Sequence, residues 1–287
     1  MQSVSYRIDD REVTFQIDGE TKFGASTTLL TMDDDLTRER SWCNRGFTVE
    51  RFLSDADHDR ICTGMTGLIA AHVERLGVAL DSKFTLDQYH HYVNTDELHA
   101  KLIEETRKGW DVSRFPLDVG CVESRVSEIC GIPVTTWNPA LGKSLFHLRI
   151  VRPNKPLDNN PPHRDVWLDR LRNALNIYFP IAGSNELSAL PLIPGSHRLM
   201  EEQIERSVDG ARIAGLNFSV PAVTRMFGEF VMTRPNPQAH EVLVFSPYLI
   251  HGGAVNFNPD TTRVSLEMRF FRKTDCATNY PTARSAA

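Results

Sequence analysis

The chain has few cysteines, no long apolar run and no surplus of basic residues. Its five cysteines, among 287 residues, are scattered and form no C-x-x-C pair, which favours reduced thiols in a cytoplasmic protein. Because it contains neither a run of 18 apolar residues nor a basic-then-apolar start, we expect no membrane span and no secretion. The 37 acidic residues outnumber the 32 basic ones, so we expect no nucleic-acid or anionic-membrane partner.

The composition is that of a chain able to bury a core. Hydrophobic residues make up 41% and charged residues 24%, as in ordinary globular proteins. At this length one large domain is as compatible with the sequence as two smaller ones. We interpret residues 1–287 as a single domain.

One short motif combines an imidazole with a carboxylate. It is Pro161-Pro162-His163-Arg164-Asp165. In an extended chain, residues two apart point the same way, so His163 and Asp165 would lie side by side. His251, far downstream, could add a second imidazole. Two histidines and one carboxylate leave open positions on a metal ion, and they are the usual ligands of non-haem Fe(II) oxygenases.

A second triplet of the same form, His72-Val73-Glu74, is a decoy. It lies in an apolar pattern of helical period that includes Ile61, Met65 and Ile69. Residues two apart on a helix diverge by roughly 200° around its axis, so His72 and Glu74 cannot bind one ion there.

Much of the chain alternates apolar and polar residues as strands do. An N-terminal extension (1–41) opens with a predicted hairpin. In the next segment (42–80) a strand leads to a helix that Ser54 caps and Gly77 ends. A helix-rich region (82–140) either packs outside the sheet or caps the active site. The predicted core (144–272) has strands at 144–151, 174–181, 187–197, 241–246 and 262–272, with an insertion at 198–240 that could form a lid.

The motifs together resemble the phytanoyl-CoA dioxygenase family. The resemblance rests on His163-Arg164-Asp165, on the Leu192-Ile193-Pro194-Gly195-Ser196-His197 turn, and on His251-Gly252-Gly253 followed by Arg263. It covers about residues 42–273 and implies a mainly β fold with flanking helices around a double-stranded β-helix (jelly-roll, cupin-like) core. It also implies dependence on Fe(II), 2-oxoglutarate and O2.

Site residues follow from that resemblance. It assigns His163, Asp165 and His251 to iron and Arg263 to the distal carboxylate of 2-oxoglutarate, which a guanidinium can bind bidentately. Ser265 lies on the same strand face as Arg263. On the polar faces of neighbouring strands, Asn176 and either His147 or Arg149 could reach the proximal end of 2-oxoglutarate, or could instead make structural or substrate contacts.

The implied reaction is oxidation, most simply hydroxylation, of an unactivated C–H bond, with release of succinate and CO2. Two alternatives keep the same fold: a cupin-like metal-dependent isomerase or epimerase, and a non-catalytic ligand-binding barrel. Neither needs a carboxylate clamp at Arg263. Polar strand faces suggest a small polar or charged metabolite as substrate, and we see no basic cluster in the sequence suited to the phosphates of an acyl-CoA.

Overall fold

The computed structural model describes residues 1–276, and most of its regular structure is β-strand. The strands are β1 (Gln2–Ile8), β2 (Arg11–Asp18), β3 (Thr21–Phe23), β4 (Phe47–Arg51), β5 (Trp110–Asp111), β6 (Val134–Thr135), β7 (Trp137–Asn138), β8 (Lys143–Val151), β9 (Ala174–Ala182), β10 (Ile204–Ser207), β11 (Ala211–Ile213), β12 (Leu216–Phe218), β13 (Val223–Met226), β14 (Val231–Met232), β15 (Glu241–Phe245) and β16 (Arg263–Arg272). The helices are α1 (Asp55–Arg75), α2 (Tyr89–Tyr92), α3 (Asp96–Arg107) and α4 (Val119–Cys130). Within residues 1–276 no helix is long and apolar enough to cross a membrane.

The centre of the fold is an eight-stranded sheet. Its strands run in the order β4-β15-β9-β16-β8-β5, with β6 added to β16 and β7 to β8. All the pairings are antiparallel. Apolar residues alternate with polar ones along β8: Phe146, Leu148 and Ile150 are fully buried, while His147 and Arg149 lie on the other face. This pattern matches the prediction for 144–151.

A second layer faces the four central strands β8, β16, β9 and β15. It consists of short extended segments that meet at single bridges: His163 with His251, His251 with Leu192, and Leu192 with Thr233. Along the chain, successive segments alternate between the two layers, except that Leu192 and Thr233 belong to the same one. This winding is that of a double-stranded β-helix, an eight-stranded jelly roll. The predicted fold class is confirmed.

Helices cover the outer face of the large sheet. Helix α1 begins where predicted, because the Ser54 side chain accepts a hydrogen bond from the Asp57 N–H at 3.2 Å. It ends at Arg75, and Gly77 follows in the left-handed region. His72 of the decoy triplet stacks on Trp110, with ring centroids 5.0 Å apart. The region predicted to be rich in helix, 82–140, contains α2, α3 and α4.

The N-terminal strands and the predicted insertion at 198–240 form one structure. Strand β1 pairs with β14, β2 with β11, and β3 with β10. The hairpin β1–β2 was predicted, but its partners were not. Because these backbone hydrogen bonds tie the insertion down along its length, it does not stand free as a lid.

The strand predicted at 187–197 is wrong. Only Leu192 makes bridges there, and a 3-10 turn takes up Ser196–Arg198. Pro191 and Pro194 explain this, because proline has no N–H to donate to a ladder. The turn instead packs on the segment before β4: a β-carbon on Gly46 would lie 2.7 Å from the ring of His197, so a side chain larger than hydrogen is excluded there.

Candidate active site

Two histidines and one aspartate from distant parts of the chain meet in the second layer. His163 and His251 exchange two backbone hydrogen bonds, of 2.9 and 3.0 Å, and their ring centroids lie 4.5 Å apart. Arg164 is extended, so Asp165 points the same way as His163, although a 3-10 turn begins at Asp165 in place of further strand. Asp165 Oδ1 lies 3.2 Å from His163 Nε2 and 3.9 Å from His251 Nε2. All three side chains are buried, and their nearest ligand atoms lie within 4.8 Å of one another.

Backbone carbonyls fix the orientation of both imidazoles. His163 Nδ1 donates to the Pro161 carbonyl at 2.7 Å, and His251 Nδ1 donates to the Leu249 carbonyl at 2.9 Å. A carbonyl oxygen can only accept, so a neutral ring in either place carries its proton on Nδ1. Each Nε2 is then unprotonated, and its lone pair faces Asp165. This is the arrangement that orients histidine ligands in metal sites.

The carboxylate of Asp165 is held by one of its oxygens. Oδ2 accepts hydrogen bonds from Asn176 Nδ2 at 2.9 Å and from Arg269 Nε and Nη2 at 3.1 and 3.0 Å. Oδ1 remains for the space between the two imidazoles. The carboxylate therefore presents one fixed oxygen to an ion bound beside the histidines.

The protonation states of these groups suit a metal ion. Burial on its own would raise the pKa of Asp165, but the Arg269 guanidinium and the two histidines hold it well below its usual range. Burial and the charge of His163 lower the pKa of His251 to about 4, against the opposing effect of Asp165. Near neutral pH the aspartate is an anion and His251 is neutral, and metal ligation requires both forms.

Gly252 allows the backbone to approach His163 closely. Its φ is +98°, and a β-carbon there would lie 2.7 Å from the Pro161 carbonyl oxygen and 2.9 Å from His163 Nδ1. Real β-carbons do not come so near to other heavy atoms. The close packing of the backbone against His163 therefore requires glycine at position 252.

Arg263 is a buried guanidinium that has no counter-ion among residues 1–276. It is only 2% exposed, and it shares a narrow cleft with His163 and His251. Nη1 donates to the Ser188 carbonyl at 3.2 Å, whereas Nε has no hydrogen-bond partner among residues 1–276. Nor does any carboxylate of that part of the chain lie within 4 Å of it. An unpaired buried charge is costly, so the site fits an anion supplied from outside the chain.

The other residues predicted to contact 2-oxoglutarate differ in whether their polar atoms already have partners. Ser265 Oγ is buried, and within the described chain it has no hydrogen-bond partner. Asn176 uses its amide nitrogen on Asp165, and its Oδ1 is likewise without a partner in residues 1–276. Arg149 is committed to an ion pair with Glu267, at 3.0 Å. His147 lines a neighbouring cavity together with Arg149.

That cavity opens beside Asp165 and has a volume of about 300 Å³. Arg149 and Arg269 line it within the sheet, and the exposed Arg107 lies on its wall at the end of α3. Ser219 and Val220 reach it from the segment between β12 and β13. Both regions expected to cap the substrate, 82–140 and 198–240, therefore contribute walls to this one cavity.

A second cluster of possible metal ligands lies at the surface. His90 Nε2 and His91 Nε2 lie 2.8 and 3.0 Å from Asp260 Oδ1. His91 and Asp260 are exposed and His90 is partly so. Attraction of two histidines to an exposed carboxylate is enough to explain this cluster. In the buried cluster, the Nε2 atoms of His163 and His251 both face one oxygen of Asp165.

Two residues important to the site had no assigned role in the sequence. Arg269 is part of β16, as Arg263 is, but its contact with Asp165 could not be inferred from the sequence. Arg164, the middle residue of the motif, is fully buried, and its guanidinium makes an ion pair with Glu201 and a hydrogen bond to the Ser196 carbonyl. The sequence offered one indication for Arg164: a charged residue stands inside a motif whose outer neighbours, Pro162 and Val166, are apolar.

Comparisons with known proteins give distant fold similarity. No protein-family model and no curated protein matches the chain. Among solved structures, AviO1 from Streptomyces viridochromogenes Tue57 is 18% identical with a TM-score of 0.45, covering 90% of this chain and 100% of that one. EctD from S. alaskensis with 2-oxoglutarate and 5-hydroxyectoine is 15% identical with a TM-score of 0.46, covering 91% and 87%. The non-heme alpha ketoglutarate dependent carbocyclase SnoK is 14% identical with a TM-score of 0.42, covering 87% and 88%. At these TM-scores the matches carry no argument about chemistry.

Proposed function

We propose that this protein is an Fe(II)- and 2-oxoglutarate-dependent dioxygenase related to the phytanoyl-CoA dioxygenase family. The observation that carries the proposal is the buried convergence of His163 Nε2, His251 Nε2 and Asp165 Oδ1. Three protein ligands of this type leave positions open on an octahedral ion, as non-haem Fe(II) oxygenases require. Bound Fe(II), with 2-oxoglutarate and O2, would supply the oxidising power for an unactivated C–H bond, giving succinate and CO2.

In this proposal Arg263 binds the distal carboxylate of 2-oxoglutarate. Its guanidinium is buried, lies in the same cleft as His163 and His251, and has no carboxylate partner in residues 1–276. Ser265 Oγ and Asn176 Oδ1 are further buried polar atoms that lack partners in that part of the chain and could meet the co-substrate. We assign Arg149 and His147 to the wall of the substrate cavity, on the proximal side of the site.

The protein's own groups would also control access to the reaction. The three ligand residues are at most 5% exposed, which would limit the water that reaches a bound ion. The cavity beside Asp165 gives a small substrate a place next to the ligand set. A metal-dependent isomerase or a binding protein with this fold does not need a carboxylate clamp at Arg263, whose guanidinium has no carboxylate partner in residues 1–276.

Two measurements test the proposal. Under anaerobic conditions, 2-oxoglutarate should change the absorption of the Fe(II)-loaded protein, and the change should be absent in His163→Ala. With O2 admitted, a metabolite panel should be screened for succinate release, and the product of any active substrate should be analysed under 18-O2. Binding of iron with no spectral response to 2-oxoglutarate would favour the isomerase or binding-protein alternatives.

A further inference from the structure

We propose that the substrate carries an anionic group, such as a carboxylate, sulfate or phosphate, which Arg107, Lys143 and Arg170 bind at the rim of the cavity beside Asp165. The inference rests on the proposed function, since it names the substrate class of the same site. It adds a binding subsite that neither the metal ligands nor the 2-oxoglutarate clamp requires.

Basic side chains are concentrated around this cavity. Six line it, in a chain whose formal net charge is −5; they are Arg107, Lys108, Lys143, Arg149, Arg170 and Arg269. The only acidic residue in the same lining is Asp165. Like charges that line one cavity repel each other, and a bound anion would offset that repulsion. We therefore interpret this concentration of basic residues, in a chain with an acidic surplus, as an anion-binding site.

Three of the six cations are already paired. Arg149 pairs with Glu267 at 3.0 Å, Arg269 with Asp165 at 3.0 Å, and Lys108 with Glu104 at 3.0 Å. The remaining three have no carboxylate within 4 Å in the described part of the chain, and all three are exposed; they are Arg107, Lys143 and Arg170. Their charges are therefore available at the entrance to a cavity whose inner wall includes the buried Asp165.

The inner wall of the cavity also contains a buried histidine. His147 lies in its wall, and burial, together with the charges of Arg269 and Arg149, lowers the pKa of His147 to about 3. Low-dielectric walls of one charge sign focus the field and raise the local concentration of an oppositely charged ligand. The exposed cations of the rim would thus attract an anion that enters from solvent.

This subsite is separate from the one proposed for 2-oxoglutarate. Arg263 does not line the cavity; it lies in the adjoining cleft with His163 and His251. The rim cations are therefore not needed to hold the co-substrate. Apolar side chains in the same wall fit a ligand with a hydrocarbon or aromatic part besides its anion; they include Leu141, Leu145, Leu168, Leu171 and Phe271.

A matched pair of fluorescent probes tests the inference. 8-Anilinonaphthalene-1-sulfonate carries a sulfonate, and N-phenyl-1-naphthylamine has the same ring system without it. Each is titrated anaerobically into the full chain with Fe(II) and saturating 2-oxoglutarate, so that the Arg263 cleft is already filled. Because both probes have the same apolar part, the ratio of their affinities isolates the contribution of the charge.

We expect the wild-type protein to prefer the sulfonate by at least about tenfold. Each of R107Q, K143Q and R170Q should reduce that preference up to about fivefold, the range of an exposed charged contact, and the triple variant should abolish most of it. The neutral amine should bind all variants within about twofold. The controls R75Q and K101Q remove one exposed charge each outside the cavity and should leave the ratio unchanged.

Equal loss in the control and rim variants, or an unchanged ratio in the triple variant, would overturn the inference. Added salt should also lower the preference, because the rim is exposed to solvent. The proposed function fails separately: a protein that shows the sulfonate preference but never responds to 2-oxoglutarate contradicts only the dioxygenase assignment. Circular dichroism of the three single variants identifies any loss that comes from unfolding.

Discussion

Arg269 donates from both Nε and Nη2 to Oδ2 of Asp165, and this leaves Oδ1 as the oxygen that faces His163 and His251. The same guanidinium also lies near a second carboxylate of the chain, with Arg269 Nη2 3.9 Å from Glu267 Oε2. Of the two arginines of β16 near the site, Arg263 is the one that lacks a carboxylate partner in residues 1–276. Within the proposed function, this geometry gives the two arginines separate roles: Arg269 would position Asp165, and Arg263 would bind the co-substrate.

The first prediction concerns which cluster binds the metal. His163→Ala and His251→Ala should each weaken anaerobic Fe(II) binding by more than about 100-fold, since losing only a residue that orients a ligand already costs about 10–100-fold. Equilibrium dialysis followed by metal analysis measures the affinity. His90→Ala, in the exposed cluster with His91 and Asp260, is the matched control and should keep one tightly bound iron. Iron retained in both buried-site variants but lost in His90→Ala would move the metal site to the surface.

The second prediction concerns Arg263. Arg263→Gln should weaken 2-oxoglutarate binding about 10- to 100-fold, because a hydrogen bond to a charged group contributes about 1.5–3 kcal/mol. Arg263→Lys should recover part of the loss, since it restores the charge without the planar fork. Binding is followed by the absorption of the anaerobic Fe(II) protein. Arg272→Gln, on the same strand, is the control and should behave as wild type; an equal loss in that variant would count against a specific clamp.

The alignment of His163 with Asp165 could be predicted because its geometry is local. His163 and Asp165 are two residues apart, and an extended residue between them is enough to align them. The partner of Asp165 could not be predicted, because Arg269 is 104 positions away. It reaches the site through the register of β16 against β9, in which Arg269 pairs with Asn176. Registers between strands distant in sequence depend on the whole sheet and not on either strand alone.

The same distinction explains the N-terminal region. Alternation in 3–17 predicted the hairpin β1–β2, because alternation reports burial of one strand face. It does not report which strand supplies the neighbouring edge. The pairing of β1 with β14 and of β2 with β11 joins segments more than 190 residues apart, and no pattern within either segment identifies the other.

The third prediction tests the close approach at Gly252. Gly252→Ala should lower stability by about 2 kcal/mol more than Gly228→Ala, and it should weaken metal binding. Both positions have positive φ, +98° and +86°, so both substitutions introduce backbone strain. Only at Gly252 would the new methyl group overlap the Pro161 carbonyl and the His163 ring, whereas at Gly228 nothing lies within 4 Å. Urea unfolding of the two variants measures the difference, and equal losses would show that strain alone is responsible.

The fourth prediction concerns the buried ion pair beneath the motif. Glu201→Gln should destabilise the protein by about 3–5 kcal/mol, because it leaves the fully buried Arg164 without its counter-ion. Trp167 Nε1 also donates to Glu201, at 2.9 Å. Glu104→Gln breaks an exposed pair with Lys108 and should cost less than about 1 kcal/mol. Chemical denaturation gives both values, and similar losses in the two variants would contradict the structural role of Arg164.

The last prediction concerns acid stability and His99 of α3, which is 5% exposed. Its Nδ1 lies 3.1 Å from the Tyr89 hydroxyl, and its Nε2 lies 3.4 Å from Asp158 Oδ1. Burial lowers the pKa of His99 to about 4, against the opposing charge of Asp158. In the unfolded chain an ordinary histidine has a pKa of about 6.5, so as the pH falls the unfolded state binds this proton first.

The stabilising contribution of His99 is therefore complete above about pH 6.5 and is lost as the pH falls toward 4. At about 1.4 kcal/mol per pKa unit, the full loss is on the order of 3 kcal/mol. Urea unfolding between pH 7 and pH 4.5 should show a shallower dependence in His99→Gln than in wild type, whatever the effect of the substitution at pH 7. The control is Lys101→Gln, which changes an exposed residue of the same helix and should keep the wild-type slope. An unchanged slope in His99→Gln would mean that His99 is protonated in the folded protein at the same pH as in the unfolded chain.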